Sequence, residues 1–245
     1  VNTSYINLAP YQAAFPDTNE WTKPVQSLNG EMIYRQRFED DALLKIYGAY
    51  SYTNFDLVQE DINVSNGFRF GMENRNLYIN ASYKNSLSNN WSVLTGVSFN
   101  NDQSDLKIQQ DEVSDTENSM HAKIKLRKHF SNRFKLNVGG EYFLTDFREK
   151  FTDTQPVTFK SGFKNHSAAV FTEAEVFFSK RLATNIGVRA DYSELSNEFL
   201  VSPRISFAYK SGENSQFSLA YGRFFQQAQK EYLKYNSQLT SENTT

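Results

Sequence analysis

The side chains best suited to chemistry in this sequence are carboxylates, amines and three histidines, since cysteine is absent. Glu173 and Glu175 stand two positions apart in a stretch whose alternation is that of a strand. Positions i and i+2 of a strand point the same way, so both carboxyl groups share one face at a separation a glycosidase pair would tolerate. The sequence supplies neither a substrate cleft nor an asymmetry between the two groups. Pairing with Arg189 on the following strand is expected instead, and no catalytic residue is assigned. His121 and His129 are eight residues apart on the polar face of one strand, roughly 26 Å by strand rise and too far to share a metal. The third histidine, His166, is expected at a rim or inner-wall position. The segment Asp102–Glu117 holds Asp102, Asp105, Asp111, Glu112, Asp115 and Glu117 against the single Lys107. Oxygen clusters suit hard cations, but the spacing of a calcium loop is missing, so a solvated acidic loop is expected. Tyr5, Tyr11, Phe15 and Trp21, interleaved with Pro10 and Pro16, offer rings that would stack on a sugar or another flat ligand, or pack as a lid. With Asp111 and Glu112 they are the ligand-binding candidates. No metal or cofactor is assigned: phosphate loops, dinucleotide fingerprints and zinc motifs are all missing.

The elements that must position these groups show period 2. Trp91, Val93, Thr95, Val97 and Phe99 alternate with Ser92, Leu94, Gly96, Ser98 and Asn100. Met120, Ala122, Ile124 and Leu126 alternate with His121, Lys123, Lys125 and Arg127, and similar ribbons run over 134–145 and 182–192. Each is a strand with one apolar and one polar face. About ten strands are expected, from Gly30–Phe38 to Gln216–Phe225, with one helical stretch at most, over Gln226–Tyr235. Short connections recur at 39–41, 88–90, 131–133, 179–181 and 211–214. Three share a pattern: Leu87-Ser-Asn-Asn-Trp91, Phe130-Ser-Asn-Arg-Phe134 and Phe178-Ser-Lys-Arg-Leu182. Between them lie polar stretches at 54–67, 101–118, 146–165 and 193–202, expected to be long loops. Short turns at one end and long loops at the other make an up-and-down meander.

Composition narrows the class. The formal charge is −2 and mean hydropathy is −0.62, with 21 Phe, 14 Tyr and 2 Trp in 245 residues. That balance gives no basic footprint for nucleic acid, and so many aromatics argue against disorder. No apolar run approaches the length of a transmembrane helix, and no signal peptide is visible at the start. The two faces decide between water and lipid. Trp91, Phe130, Phe134 and Phe178 flank the short turns, and Phe99, Tyr142, Tyr192, Tyr50, Tyr52 and Tyr83 are placed towards the long loops. Transmembrane strands need about 9–11 residues between such girdles. The opposite face carries Lys123, Lys125, Arg127, Glu173, Glu175 and Arg189, too many ions for a dry core and suited to a lumen. The reading is an all-β, antiparallel, up-and-down transmembrane barrel, partial, as one segment over 1–245. A small self-contained outer-membrane pore and a soluble all-β ligand-binding module are the alternatives.

The run from Ser202-Pro-Arg-Ile-Ser-Phe-Ala-Tyr to Ser218-Leu-Ala-Tyr-Gly-Arg-Phe-Phe-Gln227 resembles a barrel hairpin of TonB-dependent outer-membrane receptors, particularly those of Bacteroidetes. Ile6-Asn-Leu-Ala-Pro-Tyr11 and Gly30-Glu-Met-Ile-Tyr-Arg-Gln-Arg-Phe38 are similar to barrel segments of the same group. The resemblance implies a bacterial outer-membrane location and import of a siderophore, vitamin or glycan. It also implies a plug domain, an inner-membrane energy-coupling protein and outer-membrane lipid as partners. No plug, coupling box or closing aromatic strand is visible, so a middle slice of a longer receptor is expected.

Overall fold

Alternating residues between short turns dictate a ladder of hairpins, and a ladder is found. The computed structural model describes residues 1–5, 9–14, 20–39, 41–61, 64–154, 157–226 and 228–234. In chain order the elements are β1 (Asn2–Tyr5), α1 (Ala9–Ala14), β2 (Glu20–Arg37), β3 (Leu43–Asp61), β4 (Val64–Leu87), β5 (Trp91–Ile108) and β6 (Asp111–Ser131). They continue as β7 (Phe134–Thr152), β8 (Thr158–Phe177), β9 (Leu182–Ser193), β10 (Glu198–Lys210), β11 (Gln216–Gly222) and α2 (Lys230–Leu233). The eleven strands make one sheet in chain order. Among the described residues no pairing joins β1 to β11, so the sheet is open. Ten of the strands answer the sequence pattern; the additional one, β1, pairs with β2. Helix α2 falls inside the one stretch expected to be helical, whereas α1 lies outside it and corrects the expectation of a single helical stretch.

The shared Ser pattern has a physical meaning. Ser131 Oγ accepts hydrogen bonds from the backbone N–H groups of Arg133 and Phe134, and Ser179 Oγ accepts from those of Arg181 and Leu182, all at 3.1–3.2 Å. The serine thereby closes the turn with its own side chain. At the third copy Asn89 and Asn90 do the work through their backbones, with φ of 58° and 60°, the left-handed region asparagine tolerates.

The long polar stretches are mostly strand rather than loop, which corrects the expectation for 54–61, 64–67, most of 101–118 and much of 146–165. β5 and β6 stay in register from Trp91 opposite Lys128 up to Ile108 opposite Asp111, and Gln109, at φ 58°, turns the chain. The cause is that polar residues here pair with one another across strands. Asn76 donates to Asn100 at 3.0 Å, Asn101 to Asn118 at 2.7 Å, and Asn74 to Asp102 at 3.0 Å. Residues that favour turns in isolation become ladder members when the neighbouring strand already supplies a partner.

One face of the sheet is apolar and uncovered. Val97, Ile124, Val170, Ile186 and Val188 are all more than 40% exposed, whereas Ala42, Phe147, Phe163 and Ala169 are the buried apolar residues among those described. A soluble module would pack this face into a core; an uncovered belt of this extent matches a lipid-facing surface. The belt is bounded along each strand. β5 presents Trp91, Val93, Thr95, Val97 and Phe99 outward and then Asn101, Gln103, Asp105 and Lys107; β7 passes from Leu136, Val138, Tyr142 and Leu144 to Asp146, Arg148 and Lys150. Tyr83 is the exception to the girdle placement, since it lies four positions from Leu87 at the short-turn end. The other face is the inside of a curve. Lys123 and Lys125 of β6 line one cavity with Ala220 and Tyr221 of β11, although β7 to β10 lie between them in the sheet.

Candidate functional site

Every inward position of β6 to β9 follows from strand parity, and the register stacks them in tiers. Nearest the short turns, Arg127, Asn137 and Glu173 lie opposite one another across β6, β7 and β8. Arg127 Nε donates to Asn137 Oδ1 at 2.7 Å, Asn137 Nδ2 donates to Glu175 Oε1 at 3.2 Å, and an Arg127–Glu175 ion pair spans the intervening strand. Lys135 approaches Glu175 at 4.0 Å. Glu173 accepts a hydrogen bond from Asn185.

The second tier centres on Glu141, with its side chain only 8% exposed. Lys123 and Arg189 flank it at 2.5 and 2.6 Å, and Arg189 also bonds Asp191 at 2.8 Å. Arg189 belongs to β9 and Glu141 to β7; between them Ala169 of β8 is small enough to let the two side chains meet. The expected pairing of Arg189 with Glu173 and Glu175 is therefore corrected. Register places Arg189 opposite Phe171, and the nearer carboxylates are Glu141 and Asp191. Gly139 makes room for the Phe171 ring: a Cβ there would stand 2.5 Å from both Phe171 Cζ and the Ile124 carbonyl oxygen. Lys123 Nζ lies 5.6 Å from the centre of that ring. Lys125 has no ion-pair partner among the described residues and borders the cavity with Arg204 and Glu173.

Towards the far end His121 stacks on Phe143, with centroids 4.2 Å apart, and its Nε2 is buried without a hydrogen-bond partner. His166 instead faces outward in the girdle, where Tyr142 Oη lies 2.5 Å from its Nδ1. Beyond the belt, Asp115, Glu117 and Glu149 face inward. Burial and the Glu149 charge push the Asp115 carboxyl up, with Lys234 and Lys230 pulling it back. The chain after β11 returns across this wall: Lys230 reaches Glu117 at 3.5 Å and Lys234 reaches Glu149 at 2.5 Å, while Lys230 Nζ sits 5.1 Å over the Phe147 ring. Phe225 and Leu233 of this returning segment close a cavity of about 600 Å³ whose wall includes Phe143, Thr145, Asn165, Arg189 and Asp191. It combines rings, amides and one ion pair, the mixture that holds a polar, partly flat small molecule.

The ligand candidates from sequence fall elsewhere and apart. Tyr5 is exposed on β1 and pairs with Gln26. Trp21, on β2, packs edge-on against Phe55 at 6.2 Å. Tyr11 lies in α1 with its side chain outside the described residues, as is Phe15. Asp111 and Glu112 stand at the β5–β6 hairpin tip, where Glu112 is 3.9 Å from Lys107. The acidic run does not converge, because on a strand alternate carboxylates leave on opposite faces. The six residues expected on the inner wall lie on one face of the sheet, opposite the apolar belt. Glu141 and Asn137 were not singled out, although their parity marked them; Lys230 and Lys234 carried no signal that would place them on β6 and β7.

The sequence matches the family described as TonB dependent receptor-like, beta-barrel, over residues 4–244. No curated protein matches it closely enough to count as a relative. Among solved structures, the outer membrane transporter YddB from Escherichia coli is similar with a TM-score of 0.65 at 12% identity, covering 84% of this chain and 32% of that one. FpvAI in its complex with pyocin S2 gives 0.59 at 10% identity, covering 84% and 36%. The alcaligin outer membrane receptor FauA from Bordetella pertussis gives 0.51 at 9% identity, covering 80% and 40%. At such identities the likeness is one of fold. The chain spans 32–40% of the length of these structures.

Proposed function

Because this chain belongs to the TonB dependent receptor-like β-barrel family of the bacterial outer membrane, we propose that it forms part of the wall of a receptor that imports a small-molecule or glycan ligand, and is not an enzyme. The observation that carries this reading is the contrast between the faces of β6 to β9: an uncovered apolar belt outside and tiers of paired charges inside. Such a wall is stable in lipid only when its inner face meets water or protein. On this reading the tiers of Glu141 and Glu175 meet a plug domain, which an inner-membrane energy-coupling protein would displace. The segment over 1–245 is one part of a longer barrel, in keeping with its open sheet and with the share of each similar structure that it covers. Ligand is held at the outer end, between Phe143, Arg189, Asp191 and Phe225, with Tyr5, Tyr11, Phe15, Trp21, Asp111 and Glu112 as the outer rim. A self-contained pore is disfavoured by the open sheet, and a soluble module by the exposed belt.

The test is growth of the source bacterium on single limiting nutrients drawn from ferric siderophores, cobalamin and oligosaccharides. Arg189→Ala in the receptor is expected to abolish growth on one of them while surface display persists. Growth indifferent to deletion of the whole gene on every nutrient would refute import.

A further inference from the structure

After β11 the chain leaves the ladder and returns across the inside of the outer end. The backbone N–H of Arg223 still donates to the Pro203 carbonyl at 3.1 Å. Beyond it, among the described residues, no backbone hydrogen bond joins 224–234 to a strand. Helix α2 has four residues, none of them buried, and a single helical turn does not persist by itself. Phe224 and Tyr232 are exposed, so the apolar hold on the wall reduces to Phe225 and Leu233 over the cavity and Lys230 over the Phe147 ring. The rest of the hold is ionic. Lys234 meets Glu149 with side chains 15% and 11% exposed, and Lys230 meets Glu117. Segments with few apolar contacts and no ladder are the ones that open locally.

The wall for its part needs these cations. Asp115 stands directly opposite Glu149 across β6 and β7, with Glu117 two positions along, and like charges opposed in a ladder destabilise it. Asp102 of β5, opposite Glu117, is taken up by Asn74 and Asn76. The β8 positions alongside are Ser161 and Phe163, which carry no charge, and Glu231 on α2 itself is exposed. The two lysines thus face three inner-wall carboxylates that otherwise face one another. We propose that 223–234 is a lid over the 600 Å³ cavity, latched by Lys230 and Lys234 on the carboxylates of β6 and β7 and released when those carboxylates lose their charge. Latched, Phe225 and Leu233 shut the cavity; released, the segment is held only at Arg223 and the cavity opens to the outer end. Acid favours release, because protonation removes the charge of Glu117 and Glu149. Asp115, its carboxyl pushed up by burial, adds a third negative charge as pH climbs and tightens the latch. The proposal rests on the reading of this cavity as the ligand site.

The test reads access to the cavity in the receptor displayed on intact cells. The chain has no cysteine, so Thr145→Cys places one thiol on the cavity wall and Lys160→Cys places one on the exposed outer surface. Labelling by a membrane-impermeant maleimide is compared between the two at each pH, which cancels the reagent's own pH dependence, with the unaltered receptor as blank. Thr145→Cys is expected to react slowly at neutral pH, and Glu117→Gln with Glu149→Gln to speed it roughly tenfold. Acid should speed it in the otherwise unaltered chain and add little to the paired Gln variant. Lys234→Glu should open the cavity and adding Glu149→Lys should close it again, a rescue that a role confined to folding would not give. Thr145→Cys reacting as fast as Lys160→Cys at neutral pH, or slowly in every variant at every pH, would overturn the lid. The acid arm needs no substitution in the latch, so misfolding of a latch variant does not decide the outcome. Labelling needs no nutrient, so a refuted lid leaves the growth test of import standing, and refuted import leaves the labelling result.

Discussion

The two halves of the hairpins from β3 to β8 are continuous in backbone and opposed in chemistry. In the half near the short turns the faces differ sharply, apolar outside and charged inside. In the far half both faces are polar, yet the strands run on without a break in register from Trp91–Lys128 to Ile108–Asp111. The ladder is therefore kept by pairing between neighbours, and the face chemistry by the solvent each face meets. Lipid enforces the first half's asymmetry; water on both sides removes it from the second.

Substitutions that break the asymmetry should cost most. Val138→Arg, outward near mid-belt, is expected to destabilise the inserted protein by about 2–4 kcal/mol, measured by urea unfolding from vesicles. An effect no larger than that of an inner-wall substitution would mean the faces are reversed. Glu141→Ala, in the near half but inward, leaves Lys123 and Arg189 without their common partner. A loss of about 1.5–3 kcal/mol is expected, with part restored by Glu141→Gln, which keeps the volume and an accepting oxygen; full restoration by Glu141→Gln would point to packing instead of charge. In the far half, Arg75→Ala breaks an ion pair whose arginine is more than half exposed, so the urea midpoint should fall only slightly, and less at high salt. Lys125→Ala, with no ion-pair partner among the described residues to strand, should stay within about 0.5 kcal/mol.

Acidity sharpens the same comparison within the far half. Asp56, on the outward face, is held below the usual carboxylate range chiefly by the hydrogen bonds that Arg69 donates. Its contribution is present above the unfolded-state value and is lost as pH falls through the depressed folded one. Asp115, facing inward, is raised by burial, so its ionisation opposes the fold as pH climbs past the unfolded value. Asp56→Asn should then lower the urea midpoint at neutral pH, and Asp115→Asn should raise it, with the second difference vanishing at acid pH before the first. Equal and parallel pH dependence of the two variants would contradict this.

Much of the near half was legible in the sequence. Residues 91–99 and 182–192 announce strands of membrane-spanning length, and Lys123, Lys125 and Arg127 announce the inner face by parity alone. The serine turns at 131 and 179 were legible as a repeated pattern before their hydrogen bonds were known. The far half was misread because Asn, Asp and Ser favour turns when no partner is in view, and the partner of Asn101 is Asn118, on the next strand. The second tier was only partly legible. Its members all have inward parity, but the choice of Glu141 over Glu173 by Arg189 depends on the register of β7, β8 and β9 and on the small Ala169 between them.

What the sequence determined by itself is local and periodic: which residues extend, where the chain turns, and which side chains leave each strand together, because strand geometry fixes alternation residue by residue. What only the tertiary structure decided is everything that crosses more than one strand. The ion pair from β9 to β7, the cavity beneath Phe225, and the return of Lys230 and Lys234 onto Glu117 and Glu149 all depend on register and curvature. Those are properties of the assembled sheet, set by the sum of its pairings rather than by any one segment.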